Sequence, residues 1–204
     1  MKIAIIGTGY VGLVTGTCFA ETGNSVICVD VDQEKLKKLR NAEVTIYEPG
    51  LNILFQRNIH NKRLTFTDDL EFAVEESKII FLCLPTPEGE DGSADLRYVL
   101  KVSEKIGKIL VTKGSDDYKI IVNKSTVPVG TSKKILQALQ SHGAGNYDIV
   151  SNPEFMREGY AIDDFMKPDR IVIGSESQKA LEMMRILYEP FVRQGNPIFE
   201  MDIA

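Results

Sequence analysis

Gly7, Gly9 and Gly12 directly follow the short apolar run Lys2-Ile3-Ala4-Ile5-Ile6, and Asp30 stands 23 residues after Gly7. These residue types at this spacing suit a dinucleotide. The first glycine permits a tight turn, the second lets the main chain approach a pyrophosphate, and the third lets helix and strand pack closely. Free N–H groups and the dipole at the start of the following helix attract phosphate. Asp30 ends the run Ser25-Val26-Ile27-Cys28-Val29. There it can accept hydrogen bonds from both hydroxyls of a ribose. Its charge repels the 2′-phosphate of NADP, and the adjoining Val31-Asp32-Gln33 offers no arginine, so the expected cofactor is NAD. A glycine turn alone is a weak signal. The strand before it, the helix after it and the acid beyond it supply the context that strengthens it.

Further candidates lie where later apolar runs end. Leu84-Pro85-Thr86-Pro87 brackets a hydroxyl between two prolines, which hold Thr86 extended. That rigidity suits either a contact with the cofactor or a stiff loop. Ser125 and Thr126 precede Val127-Pro128-Val129-Gly130 and suit either donors at a sheet edge or caps for the next helix. Glu154 and Glu158 are four apart in Asn152-Pro153-Glu154-Phe155-Met156-Arg157-Glu158-Gly159, so on a helical turn they share one face. Such a pair either handles protons and holds a water or forms a solvated acidic face. Arg157 suits a phosphate, or pairs with either acid. Pro168-Asp169-Arg170 reads as a structural lead-in to a strand.

Holding these tips requires a sheet. The pattern predicts strands at 2–6, 25–29, 64–67, 79–84, 119–123, 147–151, 170–174 and 197–201. Helices are expected at 10–22, 33–40, 50–58, 69–76, 95–112, 131–142 and 176–188. Short apolar strands alternating with helices imply an α/β fold. The expectation is a doubly wound, mostly parallel Rossmann-type sheet of about eight strands with helices on both faces. In such sheets ligands sit beyond the carboxyl ends of the strands. Asp32, Asp95 and Thr131 or Ser132 are expected helix caps, and Gly143 and Gly145 end a helix. Glu88-Gly89-Glu90-Asp91-Gly92 reads as a solvated acidic loop. Residues 1–204 read as one domain.

The 204 residues are 43% hydrophobic and 26% charged, enough for one substantial core. No apolar run approaches the roughly 20 residues of a membrane span. Net charge is −5 with dispersed basic residues, so neither nucleic acid nor a membrane is an expected partner. Cys18, Cys28 and Cys83 form no CxxC pair and the start has no secretory layout, which points to the cytoplasm. All three read as small core hydrophobes. His60 and His142 are isolated in polar stretches and read as surface residues, with no metal site expected.

Taken together, these segments resemble the UDP-glucose/GDP-mannose dehydrogenase family. The resemblance is carried by Gly7-Thr8-Gly9-Tyr10-Val11-Gly12-Leu13, Tyr47-Glu48-Pro49-Gly50-Leu51, Pro85-Thr86-Pro87 and Asp91-Gly92-Ser93-Ala94-Asp95-Leu96. Lys124-Ser125-Thr126-Val127-Pro128-Val129-Gly130, Asn152-Pro153-Glu154-Phe155 and Pro168-Asp169-Arg170 complete it. It implies oxidation of a nucleotide sugar at C6, alcohol to acid, with two NAD and with UDP-glucose as the expected substrate. It also implies that Tyr10, Val11, Asp30, Lys35, Thr86, Thr126 and Glu158 line the NAD site beside the glycines. Glu154, Phe155, Met156, Arg157 and Glu158 would form the near wall of the sugar site. Thr126 and Glu154 would orient water when a thioester intermediate is hydrolysed. The family's cysteine nucleophile belongs to a motif that none of the three cysteines matches, and its central helix and C-terminal sugar-binding domain are expected to lie outside these 204 residues. The expectation is therefore a fragment that binds NAD without turnover, monomeric where the full-length protein is a homodimer. Tyr160 departs from the family's small residue after the Glu-Gly pair.

Overall fold

The computed structural model describes residues 1–89, 92–112, 117–143, 145–193 and 195–202. Glu90 and Asp91 of the expected acidic loop lie outside the described residues. The strands are β1 (Lys2–Ile6), β2 (Ser25–Val29), β3 (Leu64–Thr67), β4 (Ile79–Leu82), β5 (Lys119–Asn123), β6 (Tyr147–Ser151), β7 (Ile171–Gly174) and β8 (Ile198–Met201). The helices are α1 (Tyr10–Glu21), α2 (Gln33–Arg40), α3 (Leu51–His60), α4 (Leu70–Glu76), α5 (Arg97–Thr112), α6 (Thr131–Gln140), α7 (Ala161–Met166) and α8 (Gln178–Tyr188).

The strands form one sheet in the order β3-β2-β1-β4-β5-β6-β7-β8. The chain order reverses between β1 and β4, which is where an open α/β sheet leaves a crevice for ligand. β1 to β6 run parallel, and β7 is antiparallel to β6, with Ser151 opposite Gly174. That single paired position staggers the two strands. The start of β7 therefore projects past the carboxyl end of β6, alongside residues 152–156.

Both sheet faces are covered. On one, Phe19 of α1 meets the rings of Phe81, Phe165, Tyr188 and Phe191 at centroid distances of 5.1–5.9 Å. Every residue from Gly12 to Ala20 is buried, because α1 is enclosed by the sheet, α3 and α7. On the other face, Ile80, Val99, Ile106, Ile121, Ile135 and Leu139 pack α5 and α6 against the sheet. No helix among the described residues is long and apolar enough to cross a membrane.

Local differences from the sequence reading have local causes. Asp32 caps α2 as expected, accepting from the Lys35 N–H at 3.0 Å. Asp95 turns its carboxylate to the Arg97 N–H, and α5 begins at Arg97. Neither Thr131 nor Ser132 caps α6. Gly130, with φ +85°, occupies that position, and the Thr131 hydroxyl donates to the Pro128 carbonyl. Helix α7 was not expected, because six residues are too few to display a helical period.

Candidate functional site

The glycine turn closes through contact of bare backbone. A Cβ on Gly7, whose φ is +101°, would stand 2.4 Å from the Cys83 carbonyl oxygen. One on Gly12 would stand 1.9 Å from the Gly7 oxygen. A Cβ on Gly9 would meet nothing within 4 Å, so the space before the turn is open. Helix α1 has neither a side-chain cap nor an acid in its first turn, whereas Asp32, Asp69 and Ser177 cap α2, α4 and α8. Open space facing uncapped helix N–H groups fits a diphosphate.

Asp30 is held as an anion. Its Oδ2 accepts from the Thr8 N–H at 3.0 Å, the Thr8 hydroxyl at 2.5 Å and Lys35 Nζ at 3.1 Å. Its Oδ1 accepts from the N–H groups of Val31 at 2.8 Å and Asp32 at 3.1 Å. Burial pushes its pKa up, but the Thr8 hydroxyl, the Asp32 and Thr8 N–H groups and Lys35 outweigh that and set it at about 2. Both oxygens already hold protein donors. Two of these donors, the Thr8 hydroxyl and the Lys35 ammonium, are side-chain groups free to rotate, whereas the three N–H groups belong to the backbone.

Beside this turn, Thr86 and Thr126 meet across the tips of β4 and β5, the Thr86 hydroxyl donating to the Thr126 carbonyl at 2.9 Å. Tyr10 begins α1 with Val11 next to it, both half-buried. The Tyr10 hydroxyl donates to Glu48. Burial, the Glu48 bond and the charges of Glu48 and Glu158 hold Tyr10 firmly protonated, against the opposing Gly159 N–H.

Residues 152–157 are neither helix nor strand, and 158–160 form a turn. Glu154 and Glu158 therefore do not share a helical face. Pro153 disfavours a helical conformation for Asn152, and the Glu154 carboxylate accepts the Met156 N–H at 2.7 Å, bending the chain locally. Glu154, Phe155, Met156 and Arg157 line a cavity of about 590 Å³. Glu158 and Thr126 are not among its lining residues. Arg157 pairs with neither glutamate. It forks onto Asp164 of α7 at 2.7 and 3.1 Å and stacks 5.2 Å above Tyr160.

The far wall of the cavity comes from the staggered start of β7. Arg170 stacks 4.8 Å from the Phe155 ring, and Pro168 and Asp169 adjoin it. Pro168-Asp169-Arg170 thus stands at the ligand edge because β7 runs antiparallel, a reversal that the alternating pattern did not reveal. At the cavity floor lies Lys124, 4% exposed, whose Nζ meets Asn152 Oδ1 at 3.3 Å and the Tyr188 hydroxyl at 3.5 Å. Burial lowers its ammonium to a pKa of about 8, against the raising charges of Cys83 and Glu154. Lys124, Tyr188 and Glu48 escaped the sequence reading as individual residues. For Lys124 and Glu48 the only hint was their place in segments that carry the family resemblance.

Cys18, Cys28 and Cys83 are all free and buried. Burial raises each thiol, that of Cys83 to about 12, which leaves little thiolate at neutral pH. His60 and His142 are exposed. Among the described residues, no group of three His, Cys, Asp or Glu could hold a metal.

Residues 1–192 match the model of the UDP-glucose/GDP-mannose dehydrogenase family, NAD binding domain. A UDP-glucose 6-dehydrogenase of Bacillus subtilis is 51% identical over 192 residues, covering 93% of this chain and 41% of that protein. One from Pseudomonas aeruginosa is 44% identical over 206 residues, covering 98% of this chain and 44% of its own length. A solved UDP-glucose dehydrogenase from Pyrobaculum islandicum superposes with a TM-score of 0.92 at 37% identity, over 98% of this chain and 46% of that one. The chain thus spans less than half the length of these relatives. A glycine cradle open at Gly9, an anionic acid at the tip of β2 and a family match over nearly the whole sequence agree: the chain belongs to the UDP-glucose/GDP-mannose dehydrogenase family and is its NAD binding domain.

Proposed function

We propose that this chain is the NAD-binding part of a UDP-glucose 6-dehydrogenase, whose whole protein oxidises UDP-glucose to UDP-glucuronate in two NAD-dependent steps. The observation that carries this reading is the shared sheet edge. The open cradle at Gly9 and the cavity lined by residues 152–157 both lie beyond the carboxyl ends of the parallel strands. Relatives at 44–51% identity that bear this activity support the choice of sugar.

In this reading Gly7, Gly9 and Gly12 shape the diphosphate cradle, and Asp30 with Lys35 takes the adenosine ribose. Tyr10, Val11, Thr86, Thr126 and Glu158 border the rest of the cofactor. When bound, NAD accepts a hydride from the sugar carbon. Glu154 to Arg157 form one wall of the sugar pocket, with Phe155 and Arg170 stacked at its edge. Glu154, half-buried with one oxygen tied to the Met156 N–H, holds a water or takes a proton in this reading. Thr126, exposed at the tip of β5 outside that cavity's lining, offers a hydroxyl that would help orient that water. The nucleophile for the acyl intermediate lies outside these residues, since the three thiols here are buried and protonated. The whole protein is proposed to be a cytoplasmic homodimer and this chain alone a monomer.

Titrating NAD and NADP against the chain tests the cofactor half. Saturable binding that prefers NAD is expected, and absence of saturable NAD binding overturns it. Incubation with UDP-glucose and NAD tests the rest. Two NADH per UDP-glucose are expected from the whole protein and none from the 204-residue chain. Sustained NADH formation by the chain would mean that the nucleophile has been misplaced.

A further inference from the structure

The segment Tyr47-Glu48-Pro49-Gly50-Leu51 has no task in the reading above, yet it carries a carboxylate that is only 5% exposed. Three donors surround it. Glu48 Oε2 accepts the Tyr10 hydroxyl and the Gly159 N–H at 2.9 Å, and Oε1 accepts the Ala161 N–H at 2.9 Å. A buried carboxylate survives without a cation when hydrogen bonds of this kind satisfy it. Its own backbone is secured as well, the Glu48 carbonyl accepting the Leu51 N–H at the start of α3.

The partners define what the residue joins. Tyr10 is the first residue of α1, directly after the open Gly9. Gly159, with φ +87°, directly follows Glu158, and Ala161 opens α7. One side chain therefore bridges the dinucleotide turn and the end of the loop that carries Glu154 and Glu158. Only a carboxylate suits all three donors. A glutamine would turn an NH₂ group toward one of them, leaving two donors face to face.

We propose that Glu48 is a positioning residue. It holds the end of the strand-tip loop against the cofactor turn and so keeps Glu158 beside Tyr10 when the dinucleotide binds. This rests on the reading that Tyr10 and Glu158 border NAD. Glu48 touches neither cofactor nor sugar itself and acts through those two residues.

The test is a double-mutant cycle of Tyr10→Phe and Glu48→Gln on the 204-residue chain. NAD affinity and amide hydrogen exchange at Gly159 and Ala161 are both measured. Each single variant is expected to weaken NAD about three- to tenfold. The double variant is expected to lose less than the sum of the two singles, because the Tyr10 hydroxyl acts through its bond to Glu48. Exchange at Gly159 and Ala161 should accelerate in Glu48→Gln while amides of β1 and β4 stay protected. Additive losses, or faster exchange with unchanged NAD affinity, would overturn the proposal and leave Glu48 as a purely structural anchor. If Glu48→Gln does not fold, Tyr10→Phe decides alone. It removes only a hydroxyl, and unchanged NAD affinity in that variant also overturns the coupling. Failure of the unmutated chain to bind NAD would instead sink the cofactor reading, and the exchange rates would still report whether Glu48 holds the loop.

Discussion

The Gly7 carbonyl oxygen lies 1.9 Å from the point where a Cβ on Gly12 would stand. Strand, turn and helix therefore meet through main chain, with no room for a methyl group. Gly12→Ala should lower stability by about 1–3 kcal/mol, the range for forcing a group into packed structure. Gly9→Val, facing open space, should fold with little loss and block NAD. Urea unfolding and NAD titration on both variants check the contrast, and a stable Gly12→Ala would contradict the close approach.

Asp30 accepts five hydrogen bonds before any ribose arrives. Asp30→Ala should weaken NAD by about 1.5–3 kcal/mol, the worth of a hydrogen bond to a charged group, or roughly 10- to 150-fold. Isothermal titration measures it. An unchanged affinity would place the adenosine ribose elsewhere.

The same residue makes stability depend on acid. Its folded pKa of about 2 lies below the ordinary value of 3.8, so the native state binds its proton later than the unfolded chain. The resulting stabilisation is present above about pH 4 and is lost as pH falls toward 2. Allowing for solvent screening, it amounts to about 1–2 kcal/mol. Comparing urea midpoints of the wild-type chain and Asp30→Asn should show their gap closing over that window.

Lys124 works in the opposite direction. Burial lowers its pKa from 10.5 to about 8, so below pH 8 the native state bears the cost of an enclosed ammonium. As pH rises from 8 to 10.5 the unfolded chain holds more protons, and folding is favoured. Relative to Lys124→Met, the wild-type chain should gain about 2–3 kcal/mol between pH 7 and 10. A flat difference in unfolding free energy would show that Lys124 is solvated in the native state.

Phe19 touches four other rings, from β4, α7, α8 and the turn at Glu189–Phe191. Phe19→Ala should cost about 3–5 kcal/mol of unfolding free energy. A loss under 1 kcal/mol would mean that these elements hold together without the ring cluster.

Local features of the sequence were enough to specify the sheet and the cofactor turn. Alternating apolar runs and helical spans depend on neighbours a few residues apart, and so do Gly7, Gly9, Gly12 and the Asp32 cap. The eight strands and the NAD-binding turn followed from that local chemistry. Tertiary structure decided what lies between distant segments. The antiparallel entry of β7 brought Arg170 onto Phe155, and Pro153 with the Glu154–Met156 bond kept 154–158 from the helical turn that would have paired the glutamates. Arg157 chose Asp164, Lys124 found Tyr188 64 positions away, and Glu48 reached Gly159 across 111. Contacts of that span leave no period or spacing in the chain, because they exist only after packing has brought the strand ends together.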